Sequence, residues 1–127
     1  MSTRHNIEAL FWQLQKQPEI QFPKAGQPLA APKAHGVYVI RGPDGRVAHV
    51  GRSVSGKAGL FQRLSNHLHS QSSFVVAHLK GSGSKLRGRY TFQLLEVLNG
   101  HDRALLEHFS IAWHCPAHLG VGKKEGT

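Results

Sequence analysis

The sequence predicts a compact α/β fold of the α+β kind: a small, mainly antiparallel three-stranded sheet flanked by helices. Three observations predict it. Two β-branched runs flank the turn Gly42-Pro43-Asp44-Gly45, which reads as a hairpin. A third such run lies at Tyr90 to Val97, far along the chain. Between and around these strands, apolar residues recur at helical spacing. With 127 residues there is room for one domain large enough to bury a core without disulfides.

The elements follow in order. From about Asn6 to Gln17, the residues Ile7, Leu10, Phe11 and Leu14 mark one face of an amphipathic helix, and Pro18 ends it. Pro18, Pro23, Pro28 and Pro32, with Gly26, exclude a regular element from residues 18 to 32, so this stretch is expected to lie over the domain as an arm. Gly36 to Ile40 and Arg46 to Val50 form the hairpin, with proline presetting φ and Asp-Gly taking the left-handed position in the turn. Leu60, Phe61, Leu64 and Leu68 mark a helix with one apolar face. Phe74, Val75 and Leu79 mark a shorter one. Gly81 to Arg89 reads as a flexible basic loop, and Asn99-Gly100 as a turn after the third strand. The last helix is expected from Asp102, as its N-cap, to about His114. Its apolar stripe is Leu105, Phe109 and Ala112, with Leu106 and Trp113 on a flank. Three parts result: helix and arm over residues 1–34, the main domain over 35–119 and a loose tail over 120–127.

Composition narrows the function classes. Sixteen Lys and Arg against seven Asp and Glu give a net charge of +9, a field that attracts polyanions and favours nucleic acid. No apolar run approaches membrane-spanning length, and the first residues lack the layout of a signal peptide. A single cysteine, Cys115, excludes an internal disulfide framework and a CxxC metal knuckle, so the chain reads as cytoplasmic. His114, Cys115 and His118 lack a fourth ligand for a structural zinc site, and His67 and His69 point to different helix faces.

Several polar groups fall where a core does not ask for them. Tyr38 is in mid-strand, His49 is near the end of the second hairpin arm, and Arg63 and His67 lie one turn apart on a helix. Glu107 shares the polar side of the last helix with Arg103, Ser110 and His114, at the spacing of a surface pair with Arg103. Taken singly, each has a plain reading as a strand aromatic or a solvated helix charge.

Together they resemble the GIY-YIG nuclease family, over about His35 to Leu119. Gly36-Val37-Tyr38 stands at the first signature, and His49-Val50-Gly51 at the second. Arg63, with His67 four residues later, matches the arginine helix; Glu107 matches the glutamate helix. The resemblance implies a divalent-metal-dependent endonuclease acting on nucleic acid, with DNA favoured over RNA; as the sequence shows no appended reading head such as a helix-turn-helix or zinc finger, little sequence specificity is expected. Its catalytic set would be Tyr38, His49, Arg63, His67 and Glu107, gathered on one face of the sheet. Glu107 would be the ligand of Mg²⁺ or Mn²⁺, and Tyr38 the base, its pKa lowered by nearby cations. Arginine suits the phosphate because its fork holds two oxygens at once. The sequence departs from the family at His49, where the family has tyrosine, and at Leu119, where it places an asparagine. His49 therefore stands as the alternative base. Arg52, Ser53, Lys57, Lys80, Lys85, Arg87 and Arg89 are expected to contact the strand being cut. Two rival readings remain: a catalytically inactive binding module on this scaffold, and a nuclease subunit targeted by a protein partner, or a homodimer, through the N-terminal arm.

Overall fold

The computed structural model describes residues 3–119; the expected loose tail, 120–127, lies outside the described residues. Helix α1 (Arg4–Gln15) opens on Thr3, whose hydroxyl accepts from the Asn6 N–H at 3.2 Å. Strands β1 (Ile20–Gln21), β2 (Gly36–Arg41), β3 (Val47–Arg52) and β4 (Thr91–Glu96) form one antiparallel sheet in the order β1-β4-β2-β3. The sheet thus has four strands rather than three. The extra one falls within the proline-rich stretch, where the run between Pro18 and Pro23 keeps its amide N–H groups and pairs Ile20 with Phe92 at the open edge of β4.

Strand alternation divides the core in two. Tyr38 and Ile40 of β2 and Phe92 of β4 face α2 (Gly59–Leu68) and α3 (Ser73–His78), packing with Leu60, Leu64, Phe74 and the arm's Phe22. Val37 and Val39 of β2, with Val50 of β3, face α1 and α4 (Gly100–His114), packing with Phe11, Leu14 and Leu106. The register slips by one residue between Ile40 and Arg41, a bulge that brings Ala48 into the first cluster. Residues 1–34 enter both halves, since Ile7, Phe11 and Leu14 are buried in one and Phe22 in the other.

The proline-rich arm also starts α2. Ala58 gives that helix no side-chain cap. Instead the carbonyls of Ala34 and Pro32 accept from the Leu60 and Phe61 N–H groups at 2.9 and 2.8 Å. The arm lies so close that a Cβ on Gly59, whose φ is +40°, would strike the Ala34 and Lys33 carbonyls.

Four local expectations are corrected. Helix α4 begins earlier, capped by Asn99, whose side-chain oxygen accepts from the Asp102 N–H at 2.9 Å; Asp102 is in its first turn. Its buried residues are Arg103, Leu106 and Ser110, because α4 packs on the sheet and on α1 at once; Ala112 and Trp113 are exposed. Arg103 does not face Glu107: its Nη1 donates to the Val97 and Leu98 carbonyls at 3.0 and 2.9 Å, tying the end of β4 to the helix. The Gly81–Arg89 loop is folded, with a 3₁₀ turn at Gly83–Leu86 whose Leu86 is fully buried. Among the described residues, no helix is long and apolar enough to cross a membrane.

Candidate active site

The hairpin register puts Tyr38 opposite Gly51 and Ile40 opposite His49, so Tyr38 and His49 project on the same side of the sheet. Helix α2 crosses that side and brings Arg63 and His67, which one helical turn aligns. Tyr38 is fully buried, and its Oη lies 2.7 Å from His67 Nε2. The other nitrogen of His67, Nδ1, is 2.7 Å from Ser72 Oγ. Gly51 is required here, because a Cβ at that position would occupy the space of the Tyr38 hydroxyl.

His49 stacks on Phe74 with ring centroids 4.9 Å apart and an interplanar angle of 14°. Its Nδ1 meets His118 Nδ1 at 3.1 Å. His118 arrives because the segment after α4 returns to the β3 edge, where the His118 N–H donates to the Ala48 carbonyl at 3.0 Å. Phe74 stacks on His78 from the other side. Of the sequence-predicted catalytic residues, Tyr38, His49, Arg63 and His67 therefore share one face of the sheet.

Glu107 does not share it. It belongs to α4, which covers the opposite face against β3 and β2, and acts on Tyr38 through its charge. It is held there by Arg52, whose Nη1 donates to Glu107 Oε1 at 2.6 Å. The helix carrying Glu107 also buries Leu106 in the second core, which forces it to that side.

Burial sets the electrostatics. Desolvation pushes the Tyr38 phenol up to about 12, opposed by the neighbouring Arg63 guanidinium and aided by Glu107. The expected lowering by cations is overturned by burial, which is the larger effect. Desolvation likewise lowers His67 to about 3, with Arg63 and His118 adding to it. It lowers His49 to about 2, with His67 and His118 the next contributors. His118 is lowered for the same reason, with His78 adding. The cluster is thus neutral imidazoles around a neutral phenol, next to one guanidinium. Arg63 Nε is buried with no hydrogen-bond partner, as is Arg103 Nε on the other side of the sheet.

The residues expected to contact nucleic acid separate into two groups. Lys57, Lys80, Lys85 and Arg89 are exposed. Ser53 is buried and spent on structure: its Oγ accepts from the Gly36 N–H and pairs with His35 Nδ1, each at 2.9 Å. Arg87 Nη1 donates to the carbonyls of Pro23, Lys24 and Gln27 at 3.2–3.4 Å, pinning the arm. Arg52 is committed to Glu107. Beside the histidine cluster, and sharing Ala48 and His78 with it, opens a hollow of about 730 Å³ lined by Arg41, Arg46, Tyr90 and His114.

Sequence reasoning did not single out Ser72, Phe74 and His78 for the site. It named His118 only as a zinc candidate. Their contacts cross between elements, so no local pattern marks them; Ser72 alone leaves a trace, as a serine just before an apolar helical run.

For a divalent metal, the chemistry of the donors is the test. Glu107 offers a hard carboxylate at a partly solvated rim, its side chain 17% exposed. That suits Mg²⁺, which keeps several waters and takes one or two protein carboxylates. Among the described residues, no group of three His, Cys, Asp or Glu side chains is gathered for a softer ion.

Comparison with solved structures defines the class of fold. The GIY-YIG N-terminal endonuclease domain of UvrC from Thermotoga maritima, bound to its catalytic magnesium, superposes with a TM-score of 0.51. It is 22% identical, and the match covers 68% of this chain and 84% of that one. A tyrosine-to-phenylalanine point mutant of the same domain, bound to its catalytic divalent cation, matches with a TM-score of 0.51 at 22% identity over 68% and 83%. No family model matches the chain. No curated protein matches it either. The chain therefore has a GIY-YIG-like fold.

Proposed function

We propose that this protein is a nuclease that hydrolyses phosphodiester bonds in nucleic acid, with DNA favoured as substrate and a divalent cation, Mg²⁺ or Mn²⁺, as cofactor. The observation that carries this reading is the packing of the half-buried Arg63 beside the buried Tyr38–His67 pair on a GIY-YIG-like fold. The buried Arg63 Nε has no partner within the chain. A core gains nothing from a phenol, two imidazoles and a guanidinium whose Nε is left unpaired, each of which costs desolvation. A phosphate would supply what is missing, because the guanidinium fork matches its oxygens.

The 2.7 Å contact of the phenol with His67 Nε2, together with its raised pKa, favours a relay role for Tyr38 over a standing phenolate. Its oxygen takes a proton from the attacking water while its own proton passes to His67 Nε2, 2.7 Å away. Water oxygen bonds to phosphorus as the ester oxygen leaves. Phosphate binding also favours the transfer, since its charge offsets Arg63, which adds to the burial that holds His67 low. Glu107 would hold the metal, which supplies charge stabilisation to the leaving oxygen; this requires Arg52 to release it. The hollow lined by Arg41 and Arg46 would carry the flanking strand, and the exposed Lys85 and Arg89 add non-specific attraction. His49, neutral and stacked on Phe74, supports the relay as a packing and hydrogen-bonding partner.

A second reading, an inactive nucleic-acid-binding module, draws on a specific observation: Tyr38 is fully buried and Glu107 is tied to Arg52 at 2.6 Å. Cleavage of end-labelled single- and double-stranded DNA and RNA, with Mg²⁺, Mn²⁺ or a chelator, separates the two. Metal-dependent cleavage lost in Glu107→Gln supports the nuclease; tight binding without cleavage under every condition replaces it with the binding module.

A further inference from the structure

The chain His67–Ser72 ends at the first residue outside the buried cluster, and its hydrogen bonding is uneven. Ser72 Oγ is the N-cap of α3, accepting from the Val75 N–H at 3.2 Å. The same oxygen lies 2.7 Å from His67 Nδ1. Two arrangements of the protons satisfy these distances. In one, Tyr38 donates to Nε2, Nδ1–H donates to Ser72, and the serine's own O–H is left over. In the other, Ser72 donates to Nδ1, Nε2–H donates to Tyr38, and the phenol O–H is left over. Burial decides between them. Tyr38 is fully buried, so a spare O–H there has no water to meet, whereas Ser72 is only half-buried and an O–H left over there costs less. The Arg63 guanidinium beside the phenol adds to this, since it is a donor and leaves the phenol oxygen to accept.

We infer that Ser72 is a positioning residue that holds His67 in the Nδ1–H tautomer, so that the lone pair of Nε2 always faces the Tyr38 hydroxyl. The inference rests on the nuclease reading for its consequence in catalysis but not for its structural content. It also ties the site to α3: the hydroxyl that caps the helix fixes the imidazole, so the relay is correctly set only when α3 is formed. The groups facing His67 are Tyr38 from β2, His49 from β3, Arg63 on its own helix, Phe74 from α3 and His118 from the C-terminal segment. Ser72 Oγ is the hydrogen-bond partner of Nδ1 among the described residues.

The test uses the full chain labelled with ¹⁵N-histidine. In the wild type, His67 should show the nitrogen shifts of a neutral ring protonated at Nδ1. Ser72→Ala should move it toward the Nε2–H tautomer or a mixture. Ser72→Thr, which keeps the hydroxyl, should restore the wild-type pattern. Ser72→Asp keeps the cap and puts a carboxylate on Nδ1, so it should raise the pKa of His67 and shift its titration to higher pH. If cleavage is observed, Ser72→Ala should lower kcat by about 10–100-fold with KM nearly constant, and Ser72→Asp should shift the pH–rate profile. A purely capping role would leave the tautomer unchanged in Ser72→Ala and the pH profile unmoved in Ser72→Asp, and either result overturns the inference. The shifts are read without cleavage, so an inactive protein with the expected tautomers removes the nuclease reading and leaves this one standing.

Discussion

The two faces of the sheet are built from the same strands and carry opposite chemistry. Toward α1 and α4, β2 and β3 present Val37, Val39 and Val50 to Phe11, Leu14 and Leu106; the Arg103 Nη1 buried there ties the end of β4, while Arg103 Nε and Ser110 Oγ are buried without a partner. Toward α2 and α3, alternate residues of those strands present Tyr38 and His49 to Arg63 and His67. The first face is mostly aliphatic and aromatic packing. The second gathers a phenol and two imidazoles at its centre, each of which sacrifices hydration that a leucine would not. The contrast locates function on the α2–α3 face, with Glu107 reaching the region from the far side.

Substitutions on the two faces should therefore fail differently. The largest effect is expected at the site. Tyr38→Phe should lower single-turnover cleavage by about 10²–10⁴-fold and cost only about 1–3 kcal/mol of stability, because the ring stays packed while the buried Nε2 of His67 loses its partner. Arg63→Lys should fall nearly as far as Arg63→Ala, since a point charge does not replace a fork. A robust Tyr38→Phe enzyme that is silenced by His49→Ala would transfer the proton step to His49.

On the opposite face, Phe11→Ala should cost about 3–5 kcal/mol of stability in denaturant unfolding. Cleavage per folded molecule should stay at the wild-type level. If that substitution abolished activity in fully folded protein, the separation of the faces would be wrong.

Acid should unfold the protein through the site face. His49 and His67 lie at about 2 and 3, below the ordinary 6.5, so the unfolded chain binds more protons across the intervening range. Their contribution is complete above pH 6.5 and is lost as pH falls toward 3. The slope should be of order 1 kcal/mol per pH unit for each. His67→Gln should flatten it in urea titrations run from pH 7 to 4. An unchanged slope would mean that His67 is not buried in its neutral form.

The smallest effect concerns binding. Neutralising Arg46 in the hollow, or Lys85 and Arg89 on the loop, should weaken nucleic-acid affinity and lower the salt slope by about 1 for each phosphate no longer paired with a cation. Arg87→Ala should instead loosen the proline-rich arm, because its guanidinium holds three carbonyls of that arm. Comparing the salt slopes of these variants assigns the strand to the hollow or to the loop.

Much of the fold was legible in the chain itself. The hairpin, the three longer helices and the third long strand follow from alternation, helical spacing and turn chemistry, all of which act between near neighbours. Tyr38, Arg63, His67 and Glu107 are singled out by the family resemblance and not by local pattern; the structure sets the first three on one face of the sheet and Glu107 on α4. The tertiary structure alone decided the rest. It paired Ile20–Gln21 with β4, committed Arg52 to Glu107 and brought His118 to His49 and Ser72 to His67. It also reversed the expected shift of Tyr38. A pKa depends on desolvation by every element packed around the group, and a hydrogen bond between β3 and α4 depends on how helix and sheet meet. Neither is encoded in the spacing of residues along one element; both arise only when the elements are brought together.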